Sequence, residues 1–238
     1  MKLDREICLG GRFNRKEVLG IRFNGYNIYP YLPSGARLYV PGEFYNNKTI
    51  TEVNVIVTTN HDNLNMMFYG CDKLETIRNM DKWDTSSVTI MQEMFHSCNN
   101  LITVGDLSNW NTSNVTSMGR MFFKCKNLTE LDLSNWNTSG VEIMDMMFYG
   151  CENLTKLNLS NFDISNVEYT MWMFDGCDKL QELRLDNCSY DTISKLIDPS
   201  ESDLPTNTIS GTTRKIYVKQ ENAADLTPPS GWVFEYID

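Results

Sequence analysis

The sequence lacks the signatures of several protein classes. It contains no run of about 18 apolar residues, the length a membrane span needs, and no apolar segment follows its charged first residues as in a secretory leader. Histidine occurs only twice, and the P-loop, dinucleotide-binding, H-E-x-x-H and G-x-S-x-G motifs are absent. We therefore expect a non-enzymatic protein that uses no cofactor or metal ion and does not insert into a membrane.

Basic residues are outnumbered by acidic ones, 21 against 31, which gives a net charge of −10. This balance argues against a nucleic-acid partner, because nucleic-acid affinity depends on neutralising phosphates. The charge is unevenly spread: residues 1–59 have eight bases and five acids, whereas residues 60–190 have nine and eighteen. The N-terminal part is therefore either a basic end that docks onto an acidic partner or a solvated surface.

Cysteine is too sparse for a disulfide scaffold, with seven residues in 238, and the number is odd. Five of the cysteines recur at intervals of 27, 27, 26 and 26 residues: Cys71, Cys98, Cys125, Cys151 and Cys177. Zinc ligands come in close pairs instead, so the spacing indicates a repeat. Because each cysteine lies on an apolar stripe, we expect buried, inert thiols rather than redox or metal chemistry.

Each of these five repeats, numbered one to five in chain order, combines two periodicities. Apolar residues first recur at helical spacing, as in Val115, Met118, Met121, Phe122 and Cys125. Serines precede this stripe as helix N-caps, and two glutamates complete capping boxes: Ser86, Ser113, Ser139 and Ser165, with Glu142 and Glu168. Leu131 and Leu133 then alternate with polar residues, which indicates a short strand. Each repeat is thus predicted to contain one short helix and one short strand.

One repeat cannot bury its apolar stripe alone, but stacked repeats can. We therefore predict an α/β leucine-rich solenoid whose strands pair into a short parallel sheet and whose like residues stack in columns. Residues 53–197 would form this solenoid, residues 1–52 a β-rich cap or docking module, and residues 198–238 a loop and a C-terminal cap. Repeats one and two are one residue longer before their tryptophan, which predicts either a bulge or a looser strand entry.

The ends carry their own strand signals. Asn24-Gly25 lies between two apolar stretches and predicts a β-hairpin. Further strands are expected at residues 37–40, 53–57, 215–219 and 231–237, with a helical turn at 222–226.

The repeat pattern, M-F-x-x-C-x-x-L-x-x-L-x-L-S-N-W-x-T-S-x-V, resembles the BspA-like leucine-rich repeats of bacterial surface proteins over about residues 53–188. This resemblance implies a right-handed solenoid that adheres to or binds proteins and has no catalytic residues. The segment at residues 20–30 also resembles N-terminal segments of phage virion accessory and tail proteins. The chain is thus expected on a virion surface, as an accessory or receptor-facing component, or alternatively on a bacterial cell surface or outside the cell, as an adhesin domain.

The residues between the strand leucines point away from the core and form the candidate binding face: Glu130, Asp132, Lys156, Asn158, Glu182 and Arg184, with Asp106 less secure. Such a face either recognises a partner, here a protein or a surface glycan, or is a tolerant surface. Residues 1–52 are a candidate contact to other virion proteins. The recurring aromatic positions form either a buried corner, which the period favours, or an exposed strip for sugar rings: Trp83, Trp110, Trp136 and Phe162.

Overall fold

The computed structural model describes residues 36–200, 203–207, 209 and 211–237, together with the backbone of residues 22–23 and 26–27. Strands β1 (Arg22–Phe23) and β2 (Tyr26–Asn27) pair antiparallel, as the predicted hairpin requires. The turn between these strands lies outside the described residues. So do residues 1–21 and most of the segment that resembles phage proteins.

Two parallel sheets run along one side of the repeats, which we call the strand side. The first has the order β3-β4-β5, with β3 at Arg37–Leu38, β4 at Glu52–Ile56 and β5 at Thr76–Arg78. The second has the order β10-β9-β8-β7-β6, and its strands are β6 (Glu130–Asp132), β7 (Lys156–Asn158), β8 (Glu182–Arg184), β9 (Arg214–Lys219) and β10 (Trp232–Ile237). The predicted parallel pairing of successive repeats is therefore present in both sheets.

The single sheet expected from the sequence is divided at repeat two. In that repeat Thr103 forms only an isolated bridge to Thr76, and Gly105 follows with φ +72°. In repeat one the backbone becomes left-handed at Asn79, φ +61°, and a 3-10 helix spans Met80–Lys82. In both longer repeats the irregular backbone therefore follows the strand position, at Asn79 and Gly105, and does not precede it as a looser strand entry would.

The apolar stripe of each repeat folds as successive turns, and the prediction of a helix there is wrong. In the described residues of the repeats, this stretch is held by hydrogen bonds between residues three apart. In repeat three the Met121 N–H donates to the Met118 carbonyl at 3.2 Å and the Cys125 N–H to the Phe122 carbonyl at 3.1 Å. Turns that advance three residues at a time place apolar side chains inward at nearly the spacing of a helix, which explains the misleading pattern.

Left-handed residues prevent these turns from joining into a helix. Arg120 and Lys124 have φ values of +55° and +56°, a conformation that L-residues do not sustain in a helix. The intervening N–H groups bond to the next repeat instead, as the Phe122 N–H does to the Met147 carbonyl at 2.9 Å. The same two left-handed positions occur in the other repeats: Met66 and Gly70, Glu93 and Ser97, Met146 and Gly150, Trp172 and Gly176.

The serines predicted as N-caps lie in side-chain turns. The Oδ1 atom of Asn111 accepts hydrogen bonds from the backbone N–H of Ser113 at 3.1 Å and from its hydroxyl at 2.8 Å. Asn137 holds Ser139 in the same way. The capping prediction is therefore wrong, since no helix follows in the described residues of these repeats: Ser86, Ser113, Ser139 and Ser165, with Glu142 and Glu168.

Columns of identical residues fill the interior. Six stacked rings make the phenylalanine column, with centroids 5.2 to 5.9 Å apart: Phe44, Phe68, Phe95, Phe122, Phe148 and Phe174. Apart from Phe44, which is 5% exposed, all are fully buried. The predicted stacking of like residues is confirmed. Because Phe44 precedes repeat one, residues 36–52 also continue the stack that the repeats form.

The C-terminal end contains a helix that was not predicted from the sequence. Helix α1 spans Tyr190–Ile197 and buries Ile193, Leu196 and Ile197. The Ser189 hydroxyl caps it by accepting a hydrogen bond from the Thr192 N–H at 3.2 Å. A second, four-residue helix, α2, spans Gln220–Ala223 between β9 and β10, close to the predicted helical turn.

Candidate binding surface

The candidate binding face predicted from the sequence is assembled on the outer face of β6, β7 and β8. The strand register puts its six residues in two rows, because Glu130 pairs with Lys156 and Lys156 with Glu182, while Asp132 pairs with Asn158 and Asn158 with Arg184. The leucines between them are buried: Leu131, Leu157 and Leu183. Asp106 is exposed but lies in repeat two, outside this sheet.

Strands β9 and β10 extend the face beyond the residues predicted from the sequence. Lys215 and Val233 continue the first row, and Tyr217 and Glu235 continue the second. The alternation in residues 215–219 does predict a strand. Its pairing with β8 closes a loop of about 30 residues, for which the local pattern provides no signal.

Opposite charges alternate along the first row. The Lys156 Nζ lies 3.7 Å from a Glu130 carboxylate oxygen, and the Lys215 Nζ lies 2.8 Å from a carboxylate oxygen of Glu235 in the second row. These ion pairs are exposed, so each contributes little to stability. Their charges remain accessible to a partner with a complementary pattern.

An arginine–tyrosine pair occupies the second row. The Arg184 guanidinium lies 4.8 Å from the centre of the Tyr217 ring and also bonds to the Asp186 carboxylate. Both Arg184 and Tyr217 are half-buried. Arginine and tyrosine are, with tryptophan, the residue types most enriched among the residues that dominate protein–protein affinity.

The tryptophan positions form the buried corner that the repeat period favoured. The rings of Trp83 and Trp110 lie 5.6 Å apart, and those of Trp110 and Trp136 lie 5.9 Å apart. All three are at most 3% exposed, and Phe162 is 2% exposed. The alternative interpretation, an exposed strip for sugar rings, is therefore wrong.

A second aromatic column, on the surface, was not foreseen. It consists of the residues that follow the first five of the six column phenylalanines, with ring centroids 4.4 to 5.4 Å apart: Tyr45, Tyr69, His96, Phe123 and Tyr149. We call it the surface column. The signal was present in the sequence, since an aromatic residue follows the phenylalanine in four of the five repeats, but the mixture of Tyr, His and Phe hides the period.

The described cysteines are buried, unpaired thiols in the folded chain. Six cysteines are unpaired and buried, and burial raises the pKa of the Cys71 thiol to about 11. Each repeat thiol donates to a carbonyl of the preceding repeat, as Cys125 does to the Phe95 oxygen at 3.2 Å. Within the described residues, no cluster of His, Cys, Asp and Glu has the arrangement of a metal site. The part of the chain that the structure describes also has no helix long and apolar enough for a bilayer crossing.

Comparison with known proteins assigns the chain to a family. Residues 62–188, just over half of the 238, match the model of a family described as Mycoplasma protein of unknown function, DUF285. The chain belongs to this family. It is also similar to the crystal structure of a leucine-rich repeat protein from Bacteroides ovatus, at 18% identity and a TM-score of 0.42. That match covers 84% of the chain and 40% of the Bacteroides protein, and no protein of curated function matches the chain.

The match to the family model spans repeats one to five, which are the repeats that resemble the BspA-like pattern. The predicted relationship to BspA-like repeat proteins is therefore confirmed at the level of the family. None of these matches is a phage protein. The virion resemblance of residues 20–30 therefore stays a prediction.

Proposed function

We propose that the chain is a right-handed leucine-rich-repeat solenoid that binds a protein partner without catalysis, on the outer face of β6 to β10. The observation that supports this proposal is the exposed face itself. Two rows of residues from five strands form a surface of mixed charge, with Arg184 stacked on Tyr217 within it. Repeat proteins use such extended surfaces to bind partners.

A protein fits this face better than a sugar does. The first row alternates acidic and basic residues, and the second contains Asp132, Arg184 and Glu235, so a partner needs charges of both signs at a fixed spacing, which a folded protein surface supplies. The Arg184 guanidinium lies against one face of the Tyr217 ring, which leaves less of the ring for stacking on a sugar. We therefore assign the partner to proteins and the recognition to side-chain charge and the Arg184–Tyr217 pair.

Display on a bacterial cell surface is the location we propose. The family model is described by its occurrence in Mycoplasma, and the repeat pattern resembles that of bacterial surface proteins. Antibody labelling of intact cells of the source organism, compared with permeabilised cells, tests this location. Labelling of permeabilised cells but not of intact cells would show that the chain is inside the cell and would contradict this location.

The virion location is a second candidate, supported by the resemblance of residues 20–30 to phage proteins. It requires that residues 1–52 contact other virion proteins and that the chain be present in purified particles. Mass spectrometry of purified virions induced from the source organism separates the two locations. Chain detected at a fixed copy number per particle would replace the cell-surface proposal.

The binding face is tested with a double variant and a matched control. Arg184→Ala with Tyr217→Ala removes the central pair of the face, whereas Lys126→Ala with Glu152→Ala removes an exposed ion pair of 2.7 Å between repeats three and four, on their turns. Partners captured by the wild-type chain are identified, purified and titrated against all three proteins. We expect binding at least about tenfold weaker for the face variant and unchanged for the control. Equal affinity for all three proteins would show that the face is not the binding site.

A further inference from the structure

Large apolar side chains are exposed together on the turns of the last two repeats. Among the described residues nine large apolar side chains are exposed, and four of them lie in repeats four and five: Ile143, Tyr169, Met171 and Trp172. We call these four residues the end patch. Single exposed apolar residues are common in soluble proteins, whereas a group of them marks an interaction site.

The residues of the end patch occupy neighbouring positions. Ile143 and Tyr169 form a parallel β-bridge, so they lie side by side in adjacent repeats. Tyr169 and Met171 are exposed on either side of Thr170, which is fully buried, and this alternation puts both on the outer surface. Trp172 follows directly and is 45% exposed. The patch therefore consists of adjacent exposed positions in the last two repeats.

The fold does not require apolar residues at these positions. Repeat two has Gln92 and Glu93 where repeat five has Met171 and Trp172. Glu93 and Trp172 have the same left-handed backbone, with φ values of +55° and +56°, so a polar residue suits this conformation. The apolar core does not depend on Met171 and Trp172 either, because both are exposed. Their apolar character therefore favours a contact with another molecule.

The stack of turns is open beside the patch. In repeats two, three and four the N–H at this position donates to the following repeat, as from Met146 to the Met171 carbonyl at 3.0 Å. The Trp172 N–H makes no corresponding bond within the described chain. Helix α1 contacts an earlier part of repeat five, where the Lys195 Nζ donates to the Val167 carbonyl at 2.5 Å. The last repeat therefore remains accessible at Trp172, in agreement with its exposure.

Acidic residues accompany the end patch. The turns that contain it, residues 141–151 and 167–177, have four acids and no base. One of these acids, Asp145, is paired with Arg120, whose guanidinium lies 3.1 Å from its carboxylate. The other three are exposed and take part in no ion pair of the described residues: Glu142, Glu168 and Asp175.

The unpaired carboxylates precede and follow the patch residues along the chain. Glu142 and Glu168 directly precede its first two residues, and the Glu168 N–H donates to the Glu142 carbonyl at 3.0 Å, which puts them in adjacent positions. Asp175 follows the last patch residue by three positions, and Asp203 lies near it, since burial and the Asp175 charge raise the pKa of Asp203. A partner of the patch therefore needs basic residues beside apolar ones.

The chain itself contains a segment of this composition. Residues 1–21, which we call the N-terminal segment, have five bases and three acids, and residues 12–21 have three bases and one acid. Four apolar side chains accompany these three bases: Phe13, Val18, Leu19 and Ile21. Of the two interpretations of the basic N-terminal part, docking onto an acidic partner thus finds a complementary surface on the chain itself.

A second copy is the favoured source of the segment. Strand β3 precedes β8 by six strand positions along the stack, counting one for repeat two, which is about 29 Å at the usual strand spacing. Because β1 and β2 pair antiparallel, residues 28–36 alone would connect β3 to the end of the N-terminal segment. Nine residues span at most about 30 Å. Docking within one copy would therefore require this connection to be almost fully extended.

We propose that the end patch binds the N-terminal segment of a second copy of the chain. Arg12, Arg15 and Lys16 of the segment pair with the unpaired carboxylates, and its apolar side chains pack on Met171 and Trp172. Two end patches do not face each other, because their carboxylates repel. The contact is therefore heterologous and leaves one patch and one segment free in each pair, so it can repeat into longer assemblies. It goes beyond the protein partner of the strand side, since it lies on the turns.

The patch half of the contact is tested with a variant that borrows residues from another repeat. Met171→Gln with Trp172→Glu, the patch variant, gives repeat five the residues of repeat two and removes apolar contact area. Ile102→Gln is the matched control, because Ile102 is 49% exposed and lies outside the patch. Urea unfolding of each protein verifies that it is folded.

The segment half is tested by reversing its charge with Arg12→Glu, Arg15→Glu and Lys16→Glu together, which we call the segment variant. Association of the full-length proteins is measured by sedimentation velocity from about 1 to 200 µM, the range in which weak interfaces associate. A reductant is present so that Cys8 does not link copies through a disulfide. Each protein is measured in 50 mM and in 500 mM sodium chloride.

We expect the wild-type chain to associate with a Kd in the micromolar range and at least about tenfold more weakly at the higher salt concentration. The patch variant and the segment variant should each remain monomeric, and Ile102→Gln should associate like the wild-type chain. A mixture of the patch and segment variants should form 1:1 dimers and nothing larger, because one complete contact remains between them. Arg184→Ala with Tyr217→Ala should associate normally, which separates this contact from the strand side.

Three results would overturn the proposal. The first is a wild-type chain that is monomeric at every concentration. The second is association of the patch or segment variant as strong as that of the wild-type chain. The third is a mixture of the two variants that stays monomeric, because the segment of one copy would then not reach the patch of another.

Discussion

The imidazole ring of His96 lies 4.4 Å from the Phe123 ring, centre to centre, with only 11° between their planes. On its other side the Tyr69 ring lies at 4.5 Å. This position in the surface column lowers the pKa of His96, mainly because burial disfavours the charged ring. The nearby Arg120 and Lys124 lower it further, while Glu93 opposes them.

Stability is therefore expected to fall as the pH is lowered through the histidine range. The unfolded chain binds a proton at a pKa of about 6.5, whereas the folded chain binds it only at lower pH, so acid favours unfolding. The contribution of His96 is complete above the unfolded pKa and is lost as the pH falls towards the folded one. Urea unfolding at pH 7.5 and pH 5.5 measures the difference in the free energy of unfolding between the two pH values. The His96→Phe variant keeps an aromatic ring in the surface column and should reduce this difference. If the His96→Phe variant showed the same difference as the wild-type chain, groups other than His96 would be responsible for the pH dependence.

The phenylalanine column should be the most sensitive part of the core. Phe122 is fully buried and stacked between Phe95 and Phe148, so Phe122→Ala removes contacts with both neighbouring repeats. We expect a loss of about 3–5 kcal/mol in the free energy of unfolding, measured in urea. Ile102→Ala is the control, because Ile102 is 49% exposed and its removal should change stability by about 0.5 kcal/mol or less. Equal losses for the two variants would contradict the column as the source of cohesion.

The columns and the strands were predictable because they depend on repetition. Leu131 and Leu157 occupy the same position in successive repeats, so stacking them is the simplest way to bury both. The period also favoured the burial of Trp110 and Trp136, as found. Inference from one repeat to the next needs no knowledge of the backbone conformation inside a repeat.

The conformation inside a repeat was the part that the pattern could not fix. Turns closed between Met118 and Met121 give almost the same apolar spacing as a helix, and only the sign of φ at Arg120 distinguishes them. Arginine carries no signal for a left-handed conformation, whereas the glycine at Gly150 in repeat four does. The division of the sheet at repeat two was equally hidden, since it depends on how repeats of different length meet and not on the pattern within one repeat.

The six described cysteines should resist alkylation in the folded chain. Burial raises the pKa of Cys71 to about 11 and that of Cys188 to about 12, and it raises those of Cys98, Cys125 and Cys177 well above the ordinary value, with the neighbouring Cys151 the largest cause for Cys177. At pH 8 about one Cys71 thiol in a thousand is then the reactive thiolate.

The test uses Cys8→Ser, so that only the described cysteines are present. We expect no labelling by iodoacetamide over an hour at pH 8, detected by mass spectrometry, and six labels after unfolding in guanidinium. Rapid labelling of Cys125 in the folded chain would show an accessible thiolate and reopen the redox interpretation.

Arg214 should hold the C-terminal end to repeat five. The residue is 2% exposed, and its guanidinium donates to the carbonyls of Leu180 at 2.8 Å, Asp178 at 2.8 Å and Pro205 at 3.0 Å. Asn207 accepts two further hydrogen bonds, one through its carbonyl and one through its side-chain oxygen at 2.7 Å. These acceptors have no other charged donor among the hydrogen bonds that the described residues make.

Arg214→Met keeps much of the apolar stem but leaves these oxygens without their donor. We expect it to lower the free energy of unfolding by roughly 3 kcal/mol, because the buried Leu180 carbonyl and several partly buried oxygens lose a charged donor at once, and only the Pro205 carbonyl keeps another donor, the Trp232 indole N–H. Lys215→Met on the same strand removes only the exposed pair with Glu235 and should cost far less, because exposed ion pairs contribute little to stability. Urea unfolding of both variants, followed by tryptophan fluorescence, makes the comparison. If the two losses were equal, the C-terminal strands would be held by their backbone pairing, since β9 is bonded to β8 and β10 irrespective of this side chain.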